Sequence, residues 1–122
     1  MTKEIMNKLL LKLSLIFILT LFLLPSFANA QESGTVYLTL FYGDGCPHCD
    51  KEEAFLDKLE KELPNLEVRR LEVWHNQDNV KIMQEIGEKL GVNIRGVPFT
   101  VIGDETISGY LNDETTGKKI KS

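Results

Sequence analysis

The chain has 122 residues, 18 acidic and 14 basic, with a formal net charge of −4, 43% hydrophobic residues and two cysteines. That length supports one small core and excludes a second folded domain of ordinary size. The acidic balance lacks the basic footprint of a nucleic-acid binder, so nucleic acid is excluded as an expected partner.

The chain opens with a segment that does not read as part of a fold. Lys3, Lys8 and Lys12 give a basic start, Leu13 to Leu24 is an unbroken run of apolar residues and small hydroxyls, and Pro25-Ser26-Phe27-Ala28-Asn29-Ala30 ends in A-x-A. This order predicts a secretory signal peptide over residues 1–30, cut after Ala30. An apolar run of about a dozen residues is short of the roughly 20 that a spanning helix needs. Cleavage is therefore expected over the alternative, an uncleaved membrane anchor. Either outcome places residues 31–122, a single domain and more acidic without its leader, outside the cytoplasm, where disulfides form and persist. Gln31 to Gly34 reads as a short flexible lead-in.

Val36 to Tyr42 is dense in β-branched and aromatic residues, as expected for a strand buried on both faces. Gly43-Asp44-Gly45 breaks it, and both cysteines follow in Cys46-Pro47-His48-Cys49. Proline suits the first helical position, where its missing N–H is no loss, so Cys46 is expected at a helix start. Unpaired amides and the helix dipole favour a thiolate there. Cys49 lies three residues on, near the same helix face, so one thiolate can attack a disulfide and the other can resolve the mixed intermediate. Two rival readings stand beside this one. A soft-metal site would use Cys46, His48 and Cys49, and a zinc site would need His75 as well, because no second cysteine pair exists. A purely structural disulfide would close a loop too short to constrain the unfolded chain much.

The helix opened by Pro47 carries Phe55, Leu56, Leu59 and Leu63 at helical spacing, and Pro64-Asn65 ends it. Leu66 to Trp74 alternates less cleanly, as a second strand. Asn76 or Asp78 can cap a second helix whose stripe is Val80, Met83, Ile86, Gly87 and Leu90, stopped by Gly91. Strand, helix, strand, helix predicts a parallel pair. Phe99 to Ile102 and Glu105 to Ser108, joined at Gly103-Asp104, predict a β-hairpin with Pro98 at its entry. General X-Pro statistics favour a trans Val97-Pro98 bond. Asn112 or Asp113 can cap a final helix over Glu114 to Ser122. It is about two turns long, weakened by Gly117, with Ile120 as its clear apolar anchor. An ending this short leaves one sheet face marginally covered, or marks an early-ending version of a longer protein. Trp74 and His75, near a strand end, are expected to pack in the core or at its rim more than to line a client groove.

A C-x-x-C between a buried strand and a helix, a Gly-Val-Pro about fifty residues later at a hairpin, and Gly109-Tyr110 just after it together resemble the thioredoxin superfamily. The resemblance runs from Val36 to about Thr116. Cys-Pro-His-Cys is similar to the DsbA-type oxidants, whereas the compact length resembles small thioredoxin and glutaredoxin domains. It implies an α/β fold with a mixed sheet of about four strands flanked by helices, in the order β-α-β-α-β-β-(α), and no cofactor. Cys46 would be the exposed attacking thiol and Cys49 the partly buried resolving one, with Pro47 between them. His48 would favour the Cys46 thiolate by hydrogen bonding or charge. Gly96, Val97 and Pro98 would form the substrate segment. The Val97-Pro98 bond would be cis, and the Val97 backbone would pair with a client strand.

Two departures from the superfamily pattern matter. Gly45 stands where thioredoxins place Trp, and Leu40 stands where many members bury a proton-moving carboxylate, leaving water or Asp44 to substitute. Asp44, Asp50, Glu52 and Glu53 are expected to crowd the dithiol with negative charge and to oppose thiolate formation. The expected activity is thiol-disulfide exchange with the thiols and disulfides of exported proteins, by a monomer, in the oxidising direction. The alternative is a reducing carrier fed by a membrane redox partner.

Overall fold

The computed structural model describes residues 1–22 and 34–122. The chain divides into two units, residues 1–32 and 33–122. In the first, helix α1 spans Thr2–Phe22. Among the described residues no helix is long and apolar enough to cross a membrane. The A-x-A segment through Ala30 lies outside the described residues.

The second unit is built on a four-stranded sheet in the order β2-β1-β3-β4, with β1 Val36–Tyr42, β2 Leu66–Glu72, β3 Phe99–Ile102 and β4 Glu105–Ser108. β1 and β2 are parallel, Val36 opposite Leu66 and Tyr42 opposite Glu72. β3 runs antiparallel to both β1 and β4, with Leu40 opposite Thr100 and Thr100 opposite Ile107. Side chains alternate across a strand, so central β1 feeds two cores. Leu38 and Leu40 pack with Phe55, Leu56 and Leu59 of helix α2 (Pro47–Glu62), while Phe41 packs with Phe99, Val101 and Val73. The stripe of helix α3 (Gln77–Leu90), from Val80 to Leu90, covers that second face. Asn76 caps α3 by accepting from the amides of Asp78 and Asn79, and Gly91 ends it at φ +66°.

One reading of α2 needs correction. Leu63 is the C-cap of α2 and is exposed, because Pro64 stops the helix before the stripe reaches it. Glu52, one of the four acids expected to crowd the dithiol, is 1% exposed. The buried stripe of α2 is Cys49, Glu52, Phe55, Leu56 and Leu59. It begins at Cys49, two steps of three residues before Phe55.

The C-terminal segment is a π-helical turn, Asp113–Gly117, followed by the short helix α4, Lys118–Lys121. Its attachment comes from three buried residues, Tyr110, Gly117 and Ile120, of which the last packs in the α2 core. Gly117 therefore acts as a close-packing point and not as a weak spot. A Cβ there would lie 2.8 Å from Phe55 and 3.1 Å from the Tyr110 hydroxyl. Replacing Gly117 by Val is expected to cost about 2–3 kcal/mol, because over-packing at a tight contact exceeds the roughly 1 kcal/mol of helix propensity gained over Gly. A lowered urea midpoint with an unchanged slope would report it.

Candidate redox site

The site lies where β1 passes into α2. The Cys46 amide donates to the Gly43 carbonyl at 3.1 Å, closing the turn, and Gly45 sits at φ +80°. That left-handed conformation strains any side chain, which accounts for glycine where thioredoxins carry Trp. The aromatic ring near this loop comes instead from Trp74. Its indole packs directly on Gly43, where a Cβ would overlap it, and Trp74 remains 52% exposed. Glu72 braces the same loop, accepting from the amides of Trp74 at 2.7 Å, His75 at 2.9 Å and Asp44 at 3.4 Å. Desolvation pushes the Glu72 carboxyl up, but these amides together outweigh it and hold the group below its ordinary value.

Cys46 is the N-cap of α2, with Pro47 behind it in the first helical position, and its sulfur accepts from the Cys49 amide at 3.3 Å. Cys46 and Cys49 form a disulfide with their Cα atoms 5.2 Å apart. Cys46 is 5% and Cys49 0% exposed, so in the oxidised state Cys46, expected as an exposed thiol, is buried too and only slightly less than Cys49, because its sulfur is bonded to that of Cys49 and turned onto the Cys49 amide. A thiolate at Cys46 inherits the Cys49 N–H and the positive end of the helix dipole.

His48 is exposed, and its Nδ1 lies 3.0 Å from the Tyr110 carbonyl oxygen. A carbonyl only accepts, so Nδ1 carries the hydrogen and, in the neutral ring, Nε2 is the acceptor. The bond that orients His48 is thus to Tyr110 and not to Cys46, which separates its placement from the expected role. The Val97-Pro98 peptide is cis, the isomer opposite to the general X-Pro statistics. Val97, Pro98, His48, Gly109, Tyr110 and Leu111 line an open groove of about 350 Å³. Gly96 is exposed and outside that lining. Val97 stands before β3, outside its ladders, while the Pro98 carbonyl is engaged by the Gly109 amide at 2.8 Å.

Glu52, read from the sequence only as a negative charge beside the dithiol, is buried, which that reading does not foresee. Its Oε1 accepts a short hydrogen bond from the Thr100 hydroxyl, and Thr100 is 0% exposed on β3, two residues beyond Pro98. Burial raises the Glu52 carboxyl to about 7, against the opposing effect of the Thr100 bond. Tyr110 is raised above its ordinary value by burial first and then by its bond to Asp113, to which its hydroxyl donates at 2.7 Å. Extending the α2 stripe back by one turn from Phe55 would have pointed to position 52. Among the described residues, no group of three or more His, Cys, Asp or Glu side chains is placed to hold a metal ion.

No protein-family model and no curated protein matches the sequence. Solved structures do match. A periplasmic thioredoxin-like protein from Salmonella enterica serovar Typhimurium aligns with 18% identity and a TM-score of 0.50, over 74% of this chain and 84% of that one. A thioredoxin mutant from Halobacterium salinarum aligns with 26% identity and a TM-score of 0.50, over 72% and 74%. This is a thioredoxin-like domain. The sheet order, the helices on both faces and the C-x-x-C disulfide at the start of α2 agree with that assignment. A thioredoxin-like fold with such a disulfide has the parts of a redox centre, because a thiolate can open the bond and a second can remake it. A linker-deletion mutant of Proteus mirabilis ScsC shares the fold at 17% identity, with a TM-score of 0.50 over 74% of this chain and 70% of that one.

Proposed function

We propose that this thioredoxin-like protein is an extracytoplasmic thiol-disulfide oxidoreductase that passes the Cys46-Cys49 disulfide to the thiols of exported proteins. The observation that carries the reading is the Cys46 sulfur at the N-cap of α2, accepting the Cys49 amide. A thiolate favoured in that place stabilises the reduced form, and a stabilised reduced form makes the disulfide the stronger oxidant. The burial of Glu52 works in the same direction, since a carboxyl near 7 is partly neutral where a surface acid would be fully charged. A client thiolate attacks Cys46, the less buried sulfur, and Cys49 leaves. The client chain lies in the groove beside Pro98, its backbone paired with that of Val97, an attachment that depends little on client sequence. His48 and Pro47 flank the opening, and protonated His48 adds positive charge to it.

The leader over residues 1–30, read from its basic start, apolar run and A-x-A end, supports export, with the domain acting as a monomer. Exposed Asp44 and Asp50 favour a second reading, a reducing carrier recharged by a membrane redox partner. Equilibrating the protein with glutathione buffers measures the choice. A midpoint well above about −270 mV, towards the roughly −120 mV of strong oxidants, is the expected result. A value near −270 mV would replace the oxidant by the carrier, and failure to exchange with any thiol would remove both.

A further inference from the structure

Opening the disulfide leaves Cys49 with an electron pair in a site that is 0% exposed. A buried anion without a partner is costly, so a proton has to reach that sulfur from within the protein. Neighbouring groups differ in their fitness to supply it. Asp44 and Asp50 are exposed. His48 is also exposed and has its Nδ1 hydrogen committed to the Tyr110 carbonyl. The Tyr110 hydroxyl is committed to Asp113 and is a weaker acid than usual. Glu52 is the one buried acid among the described residues.

Glu52 lies three residues past Cys49 on the same buried stripe of α2. Side chains at this spacing are neighbours, with Cβ atoms about 5–6 Å apart, and a long helical side chain leans back over the preceding turn. Thr100 occupies Oε1, so the proton of the neutral acid belongs on Oε2. We propose that Glu52 is the proton store of Cys49, giving a proton to its sulfur when the disulfide opens and taking it back when the disulfide closes. This deepens the redox reading above and rests on it. The burial that raises the carboxyl to about 7 keeps both forms populated near neutral pH.

In the oxidising direction, a client thiolate bonds to the Cys46 sulfur, the Cys46-Cys49 bond breaks, and Cys49 leaves as a thiolate that receives the Glu52 proton. A second client thiolate then attacks the client sulfur, and Cys46 leaves as a thiolate. Glu52 stays ionised while Cys49 holds its proton. In recharging by an acceptor disulfide, the Cys46 thiolate bonds to one acceptor sulfur as the acceptor S–S bond breaks and its other sulfur leaves as a thiolate; ionised Glu52 then takes the Cys49 proton, and the Cys49 thiolate bonds to Cys46 and displaces the second acceptor thiolate. Thr100 from β3 is the group that tunes this acid, its hydrogen bond opposing the rise that burial causes.

The test uses the full chain carrying an aryl mixed disulfide on Cys46, with release of the coloured aryl thiolate followed against pH. Wild type is expected to accelerate through an inflection near 7. Glu52→Gln should release thiolate about 100-fold more slowly at pH 7, the scale of general base assistance, with its inflection moved up to the thiol's own range. Thr100→Val retains the carboxyl but removes the bond that lowers it, so its inflection should move upward. Glu52→Gln with the wild-type rate and profile, or Thr100→Val with no shift, would overturn the proton store while leaving the redox reading intact. A wild type that releases no thiolate at any pH would overturn both.

Discussion

Substituting Cys46 by Ala is expected to reduce thiol-disulfide exchange by more than about 1,000-fold, whereas Cys49→Ala should still attack client disulfides through the Cys46 thiolate, releasing one client thiolate, and should accumulate as a covalent adduct that a reductant dissolves. The asymmetry follows from the N-cap. Cys46 is the sulfur that receives the Cys49 amide and the helix dipole, and it is the one with residual exposure. Without it, no thiolate remains within reach of a client, and groups that act as one unit fail together. Without Cys49, the first exchange proceeds but nothing displaces the client. Neither loss should be confused with unfolding. The disulfide spans a short loop, and its removal costs about 2 kcal/mol on the chain-entropy estimate, which the two cores around β1 can absorb. A turnover assay, combined with gel analysis under non-reducing conditions, reads both outcomes.

Glu52→Gln in the oxidised protein is expected to raise stability by about 2–3 kcal/mol at pH 8 and to change it little at pH 4. The Glu52 carboxyl titrates at about 7 in the folded chain against an ordinary 4.5. Between those values the folded state holds a proton that the unfolded chain has released, so wild-type stability falls as pH rises across the window and levels off above it. At about 1.4 kcal/mol per pH unit the window corresponds to about 3 kcal/mol, reduced somewhat because the amide must also be accommodated among buried groups. Glutamine keeps an oxygen for the Thr100 hydroxyl and carries no charge at any pH, so this slope should vanish. Urea unfolding at pH 4, 6 and 8 measures it. Identical pH dependence in the two proteins would mean that the carboxyl is not held in the interior.

The frame of the fold was legible because its strands announce themselves. Val36–Tyr42 reads as a two-sided buried strand and occupies the sheet interior, and Pro47 starts α2 with Cys46 as its cap. The hairpin of β3 and β4 falls on the residues its pattern predicts. The less regular features depend on three-dimensional placement. Read for its charge alone, Glu52 is one of four acids beside the dithiol, and only its place in the apolar stripe, between Cys49 and Phe55, points to burial. Gly117 looked like a helix breaker because the Phe55 ring that requires it lies far away in sequence. The carboxylate absent at Leu40 is supplied from the neighbouring helix: Leu40 pairs with Thr100 across the sheet, and Thr100 binds Glu52. A strand position read by itself cannot show that an adjacent element carries the acid.

Trp74 is the only tryptophan in the chain, and its ring rests on Gly43, three residues before Cys46. A half-exposed indole in that position is a built-in optical probe. Its emission follows the segment leading into the sulfurs without any added label, so opening of the disulfide, arrival of a client and recharging can be timed on unmodified protein.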